Sequence, residues 1–411
     1  MIEKILRQKS TVVTYIVFAF AFGIVILNII PILFPALLVT SIVSSESDID
    51  SFELGAWAIP FFSINLTILV FGLLYYRQLM PNVINKFFKF VLNFEVSRKM
   101  TIIVFSVIVG IYISFTVGEL NESEGSVWKD WAILEKIITD FPYGGEDKPA
   151  LRILYINNFL LYSSQEIFQN VKIIPFIGSV SLLFLTYFLT VQISQKRFAG
   201  LVATVILLQS HTFLRYDTTA TFSNFWTVFY LASLYLIYKK WALSPLAFLS
   251  SVFSKALSMA FLPMTLFFIL RSRIPKKTKI GLTILYVIII VVLVGAFILA
   301  ESLGYTKSFT SFEYIDFVSG FTALAFQLRI DGLILMFLLP LIFGLFLTSR
   351  KGNQAADSVL VMIAGILLSV PALAGFTEFN IQPYRWIPLI AFFAIGVGTL
   401  FSRLSPNRSE N

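Results

Sequence analysis

The chain contains no cysteine, one histidine and few charges of either sign, and each shortage removes a class of chemistry. Without Cys there is no disulfide, no thiolate nucleophile and no Cys-metal site, so any part outside a membrane is held by packing and hydrogen bonds, and the redox compartment is unreadable. A single histidine leaves no spaced His set for a zinc site of the usual kind. Charged residues make up 13% of the 411 positions, against about 25% in an average soluble protein. The 31 basic and 23 acidic side chains are too few to coat a fold of this size, which excludes a soluble enzyme. No Walker-type phosphate loop or Rossmann fingerprint is present, so use of a soluble nucleotide has no support.

What is abundant is apolar: 57% of the chain, with 44 phenylalanines. That composition excludes disorder and leaves an all-α integral membrane protein. Apolar runs suggest roughly twelve spans, at 12–36, 56–76, 101–118, 172–193, 198–214, 219–238, 243–256, 258–271, 279–301, 331–349, 357–374 and 386–402. The two at 243–271 are short enough to form one broken hairpin. The first run is too long and lacks the cleavage site of a secretory signal peptide, so none is expected.

Basic residues fall between alternate spans: Lys4, Arg7 and Lys9, then 77–99, Lys196 and Arg197, Lys239 and Lys240, 271–279, Arg350 and Lys351, and Arg403. The positive-inside rule makes those segments cytoplasmic, with both termini inside a multi-pass cell-membrane protein. The formal charge of +8 is then a matter of topology and implies no nucleic-acid partner. The intervening loops are acidic, and 119–148 carries eight acids against three lysines. Segments 119–170 and 302–330 read as outer loops, and 127–138 reads as an amphipathic helix on the outer surface. The chain divides into an N-terminal pair of spans with a basic segment (1–100), a main membrane module (101–402) and a short tail (403–411).

Chemistry is expected on the outer face. Asp130 opens the surface helix between Trp128 and Trp131, where it is either a helix N-cap or a carboxylate held among rings as a general base or metal ligand. Glu119, at the end of a span, and Glu124 are the competing acids. The turn-rich stretch 142–152 offers Lys148 and Arg152 as anion partners, or is an ordinary loop with Pro149 at a helix start. His211, Arg215 and Asp217 crowd the connection between the fifth and sixth spans, where Arg215 and Asp217 are also placed to pair with each other. Lys255 sits between two short spans, where a charge is costly and therefore a functional candidate. Tyr384, Arg385 and Trp386 precede the last span; an aromatic belt accounts for the rings but not for the arginine.

The order of these features resembles the GT-C membrane glycosyltransferases, the group of protein O-mannosyltransferases, aminoarabinose transferases and oligosaccharyltransferase catalytic subunits. The acid-led surface helix from Asp130 to Pro142, the element Lys148-Pro149-Ala150-Leu151, the entry Pro175-Phe176-Ile177-Gly178, the inner turn Gln195-Lys196-Arg197, the element Phe253-Ser254-Lys255 and the stretch Tyr384-Arg385-Trp386-Ile387-Pro388 carry the likeness over roughly 101–402. The resemblance implies an inverting transferase using a polyprenyl-phosphate-linked sugar as donor and a lipid, glycan or protein hydroxyl as acceptor. It implies Asp130 as catalytic carboxylate and Lys148, Lys255 and Arg385 as contacts to the lipid phosphate. Because Lys129-Asp130-Trp131 lacks the Asp-Glu pair of many members, Glu124 and Glu119 stay open as the catalytic group. No cofactor is required by such chemistry, and a divalent metal, Mg or Mn, is optional. The soluble C-terminal domain and Trp-Trp-Asp motif of oligosaccharyltransferases are absent, which argues against sequon-directed N-glycosylation. Two other classes stay open: a polytopic transporter or lipid flippase for an anionic substrate, and a catalytically inactive structural subunit. Charges avoid the middles of the spans and no two-half symmetry is visible, which weighs against transport.

Overall fold

Where water is absent, a backbone must satisfy its own hydrogen bonds, and this chain does so with helices alone. The computed structural model describes residues 2–37, 50, 52–141, 155–302, 311–376 and 382–403, and among these there is no strand. The helices are α1 (Ile2–Leu33), α2 (Ala58–Tyr76), α3 (Asn82–Asn93), α4 (Arg98–Thr116), α5 (Trp131–Asp140), α6 (Tyr155–Phe168), α7 (Ile173–Ser194), α8 (Arg197–Leu208), α9 (His211–Tyr216), α10 (Phe225–Lys239), α11 (Ser244–Ser254), α12 (Leu262–Arg271), α13 (Lys276–Ser302), α14 (Tyr314–Leu328), α15 (Gly332–Arg350), α16 (Ala355–Ala374) and α17 (Ile387–Thr399).

Among the described residues seven helices are long and apolar enough to cross a membrane: Thr11–Leu33, Ala58–Tyr75, Arg98–Asn121, Ile173–Ser194, Lys276–Gly295, Gly332–Arg350 and Ala355–Ala374. The sequence reading of roughly twelve counted every apolar run. Several of those runs form shorter helices, including Arg197–Leu208, Trp241–Ser254 and Ala256–Arg271. Twelve helical residues rise only about 18 Å, less than the hydrocarbon core. The run at 219–238 also begins late, because 217–224 is a buried polar turn and the helix starts at Phe225. Segment 302–330, expected as a loop, contains α14, which packs on α16 and α1. The surface helix expected at 127–138 is α5, beginning one residue after Asp130.

α16 and α17 form the centre, with α1, α14 and α15 on one side and α7, α8 and α10 on the other. Small residues bring the axes together. A Cβ built on Gly398 of α17 would stand 2.6 Å from the Ala199 carbonyl of α8 and 2.5 Å from Thr190 of α7, so only glycine allows this crossing. α2 and α13 lie at the periphery with apolar side chains such as Ile59, Leu66, Ile284 and Val291 exposed, as expected of lipid-facing helices.

At the basic end of the bundle, Arg271 of α12 pairs with the fully buried Asp357 of α16. Thr14 of α1 donates to the same carboxylate at 2.9 Å and lies 3.2 Å from Ser349 of α15. Three helices thus meet on one carboxylate, and α15 joins them through Thr14. Removing one partner of a buried pair strands the other charge, at about 3–5 kcal/mol. Asp357→Ala is expected to lower the stability of the detergent-solubilised protein by that order, read from its chemical or thermal unfolding midpoint. Serine at position 14, which keeps the hydroxyl, is expected to cost far less.

Candidate functional site

The opposite end is built on the connection from α8 to α10. Ser210 caps α9 by accepting from the Phe213 amide at 3.0 Å and donates to Asp331 at 2.9 Å, which ties this connection to the start of α15. The segment after Thr116 then folds over it. Glu124, buried, accepts from the amides of Ala220 and Thr221 at 2.5 and 2.9 Å and from the Thr221 hydroxyl at 2.6 Å. Lys172 donates to the Glu119 carbonyl at 2.8 Å, and Thr218 donates to the Glu119 carboxylate at 3.1 Å.

Asp217 sits beneath this lid in the connection between α9 and α10, 1% exposed. One carboxylate oxygen accepts from the Tyr112 hydroxyl of α4 at 2.8 Å; the other has no partner among the described residues. Burial pushes the Asp217 carboxyl up from 3.8 to about 7; the Tyr112 bond opposes the rise and the nearby Glu119 charge adds to it.

Beside the acids runs a stack of rings. Trp128 lies over Tyr216 with centroids 5.4 Å apart and meets Phe222 edge-on at 5.0 Å, and Phe222 stacks on Tyr384 at 4.5 Å. Cations line the stack. The Lys255 ammonium is 3.9 Å from the centroid of Tyr384 and 5.6 Å from that of Trp226. The Arg385 Nε donates to the Tyr384 hydroxyl at 3.4 Å, and the Arg215 guanidinium stands 5.5 Å above Trp128. Burial alone pushes the Tyr384 phenol up, but Lys255 and Arg385 outweigh it and hold it below its usual value.

The structure therefore joins Lys255 to the adjacent pair Tyr384 and Arg385, which is distant from it in sequence, and separately joins Glu119 with Asp217. The three candidate acids differ in commitment. Glu124 spends its carboxylate on three donors that hold the 217–224 turn, whereas Glu119 takes one. Asp130 is exposed; its carbonyl accepts from the Leu134 amide at 3.2 Å, but its side chain makes no hydrogen bond among the described residues and does not cap α5, although it occupies the N-cap position. His211 and Arg215 are exposed, and Asp217 is buried away from a pairing with Arg215. Lys148 and Arg152 lie outside the described residues. Tyr112, Phe222 and the stacking of Trp128 on Tyr216 are not legible in the sequence, because an aromatic side chain carries no local mark of its partner. Among the described residues no three His, Asp or Glu side chains gather as metal ligands. Neither a family model, a curated protein nor a solved structure matches the chain.

The position of Asp217 has a pH signature. The folded state keeps its proton up to about 7 while the ordinary carboxyl loses it near 3.8. Between those values the folded state binds more protons, so its stability falls as pH rises, with the full cost present above about 7 and none below about 3.8. Asp217→Asn, which still accepts from Tyr112, is expected to remove this fall. Unfolding midpoints across that window should diverge, the wild type losing ground to the variant with rising pH; a constant difference would contradict a protonated Asp217.

Proposed function

We propose that the chain is a polytopic inverting glycosyltransferase that takes a sugar from a polyprenyl-phosphate donor and passes it to a hydroxyl of a lipid, glycan or protein. In this reading the basic end faces the cytoplasm, the termini are cytoplasmic, roughly twelve apolar segments are embedded, and the Tyr384 end is the outer, catalytic face of a cell-membrane protein. The observation that carries it is the convergence of Lys255 and Arg385 on Tyr384 beside an acid-rich lid. Two cations in a half-dry aromatic setting suit a phosphate monoanion or dianion, and the rings give the lipid and sugar apolar faces to lie on.

The chemistry needs one base and one stabilised leaving group. The acceptor hydroxyl attacks the anomeric carbon, its proton passing to a carboxylate, while the bond from that carbon to the phosphate oxygen breaks and its electron pair stays on the lipid phosphate. Lys255 and Arg385 stabilise the charge that grows there. Asp130 is the base of choice because Glu124 is committed to its three donors, whereas Asp130 stands open two residues beyond Trp128, the ring that ends the stack. General-base catalysis of this kind is worth about 10²–10⁴ in rate.

The test uses the purified protein in nanodiscs with a radiolabelled polyprenyl-phosphate sugar and membrane acceptors. The wild type is expected to transfer label. Asp130→Asn is expected to lose about 10²–10⁴ in rate and keep its affinity for the polyprenyl phosphate. Lys255→Ala and Arg385→Ala are each expected to weaken that affinity about 10- to 100-fold, the cost of one charge-assisted hydrogen bond. Full transfer by Asp130→Asn overturns the base. Vectorial movement of solute in liposomes with no transfer overturns the enzyme in favour of a transporter, and neither activity with no lipid binding leaves a structural subunit.

A further inference from the structure

Between the spans α2 and α4 lies α3, which buries none of its residues. On a helical wheel Asn82, Asn85, Lys86, Lys89 and Asn93 fall on one narrow side, and Val83, Phe87, Phe88, Phe90 and Val91 cover the remainder. Val83, Phe87 and Phe90 are 79%, 61% and 64% exposed, so the described residues leave most of that side uncovered. A helix of twelve residues is marginal on its own in water. Its apolar side therefore needs an apolar medium.

The chain fixes where this helix lies. Its last turn is held to the turn between α7 and α8: the Lys196 ammonium donates to the Leu92 carbonyl at 2.5 Å, and the Arg197 amide donates to the Glu95 carboxylate at 3.0 Å. Phe94 meets Phe198 edge-on at 5.0 Å, and Tyr75 at the end of α2 contacts Phe88 at 5.6 Å. The ends of two apolar helices and a basic turn thus hold α3 at the boundary where spans end, and Arg77, Arg98 and Lys99 flank it. The Lys86 and Lys89 side chains are exposed, and neither ammonium has a hydrogen-bond or ion-pair partner among the described residues. With Phe90, Asn93 and Phe94 they line an open cavity of about 380 Å³. Two ammonium groups above aromatic side chains match a phosphate headgroup with its acyl chains below.

We propose that α3 is an in-plane membrane helix whose Lys86 and Lys89 bind the phosphate of an anionic phospholipid in the leaflet at the basic end of the bundle. The site is separate from the one around Tyr384 and stands whether or not that one transfers a sugar. Phosphatidylglycerol serves as the probe, added to the full-length protein in neutral detergent, with bound lipids counted by native mass spectrometry and phosphatidylcholine as reference. The wild type is expected to bind phosphatidylglycerol at least tenfold more tightly. The double variant Lys86→Ala/Lys89→Ala, altered only at exposed positions, is expected to lose about 30-fold in that affinity and none for phosphatidylcholine, each lysine near an anionic surface contributing similarly. Lys239→Ala/Lys240→Ala, at another basic turn, is expected to leave the affinity unchanged. Equal phosphatidylglycerol affinity in wild type and in Lys86→Ala/Lys89→Ala overturns the site. So does displacement of the lipid by chain-free glycerophosphoglycerol at equal concentration, which would mean a soluble phosphate ligand, and so does a dimer in detergent that Phe87→Ser/Phe90→Ser dissociates, which would make the face a contact between copies.

Discussion

A carboxylate taken out of water must find donors, a cation or a proton, and in a bundle this poor in charge that requirement organises both ends. Asp357 takes a cation and a hydroxyl, and in doing so ties α12 and α1 to α16. Glu124 takes two backbone amides and a hydroxyl, which fastens the lid to a turn whose N–H groups would otherwise be unpaired. Asp217 takes one phenol and keeps its proton to about 7, because burial disfavours its charge and Glu119 is close by. Each solution fixes a place where separate helices must meet, so a few acids define geometry that the apolar core, which tolerates many equivalent contacts, leaves open.

The same shortage shapes the aromatic stack. Trp128, Tyr216, Phe222 and Tyr384 come from the lid, α9, the polar turn and the segment before α17, and their contacts hold Tyr384, with its neighbour Arg385, against Lys255. A lysine over a ring keeps part of its charge stabilisation after losing water, so the cation is held with no acid paired to it among the described residues. That leaves its charge available to an incoming anion. Had a carboxylate been the partner, as Asp357 is for Arg271, the pair would be closed and an anion would have to break it.

Much of the helical architecture was legible because apolar runs near 20 residues have few alternatives in lipid. Composition says less where length or burial decides. Runs such as 243–256 and 258–271 carry the composition of spans, and, as their shortness suggests, they form short helices that meet at Lys255. Residues 302–330 looked polar, yet α14 needs only one apolar face to pack on α16 and α1. At the site, the chain pointed to Lys255, Tyr384 and Arg385 through the cost of placing charges beside spans, and the fold unites them. It could not rank Asp130, Glu124 and Glu119. What separates them is tertiary: a carboxylate's role depends on which amides arrive beside it, and Ala220 and Thr221 are nearly a hundred residues from Glu124.

α3 and α5 show why amphipathicity alone does not reveal a partner. Both are short, and both alternate apolar and polar faces. α5 buries Leu134 and Ile138 against Leu161 of α6 and Phe225 of α10, so its apolar face is consumed by the protein. α3 has the wider apolar side and buries none of it. Two helices with similar sequence patterns thus answer to different solvents, and the difference lies in what the chain has placed next to them. For α5 that neighbour is a satellite core that supports the lid of the Tyr384 site. For α3 the chain supplies only anchors at its ends, and the medium must supply the rest.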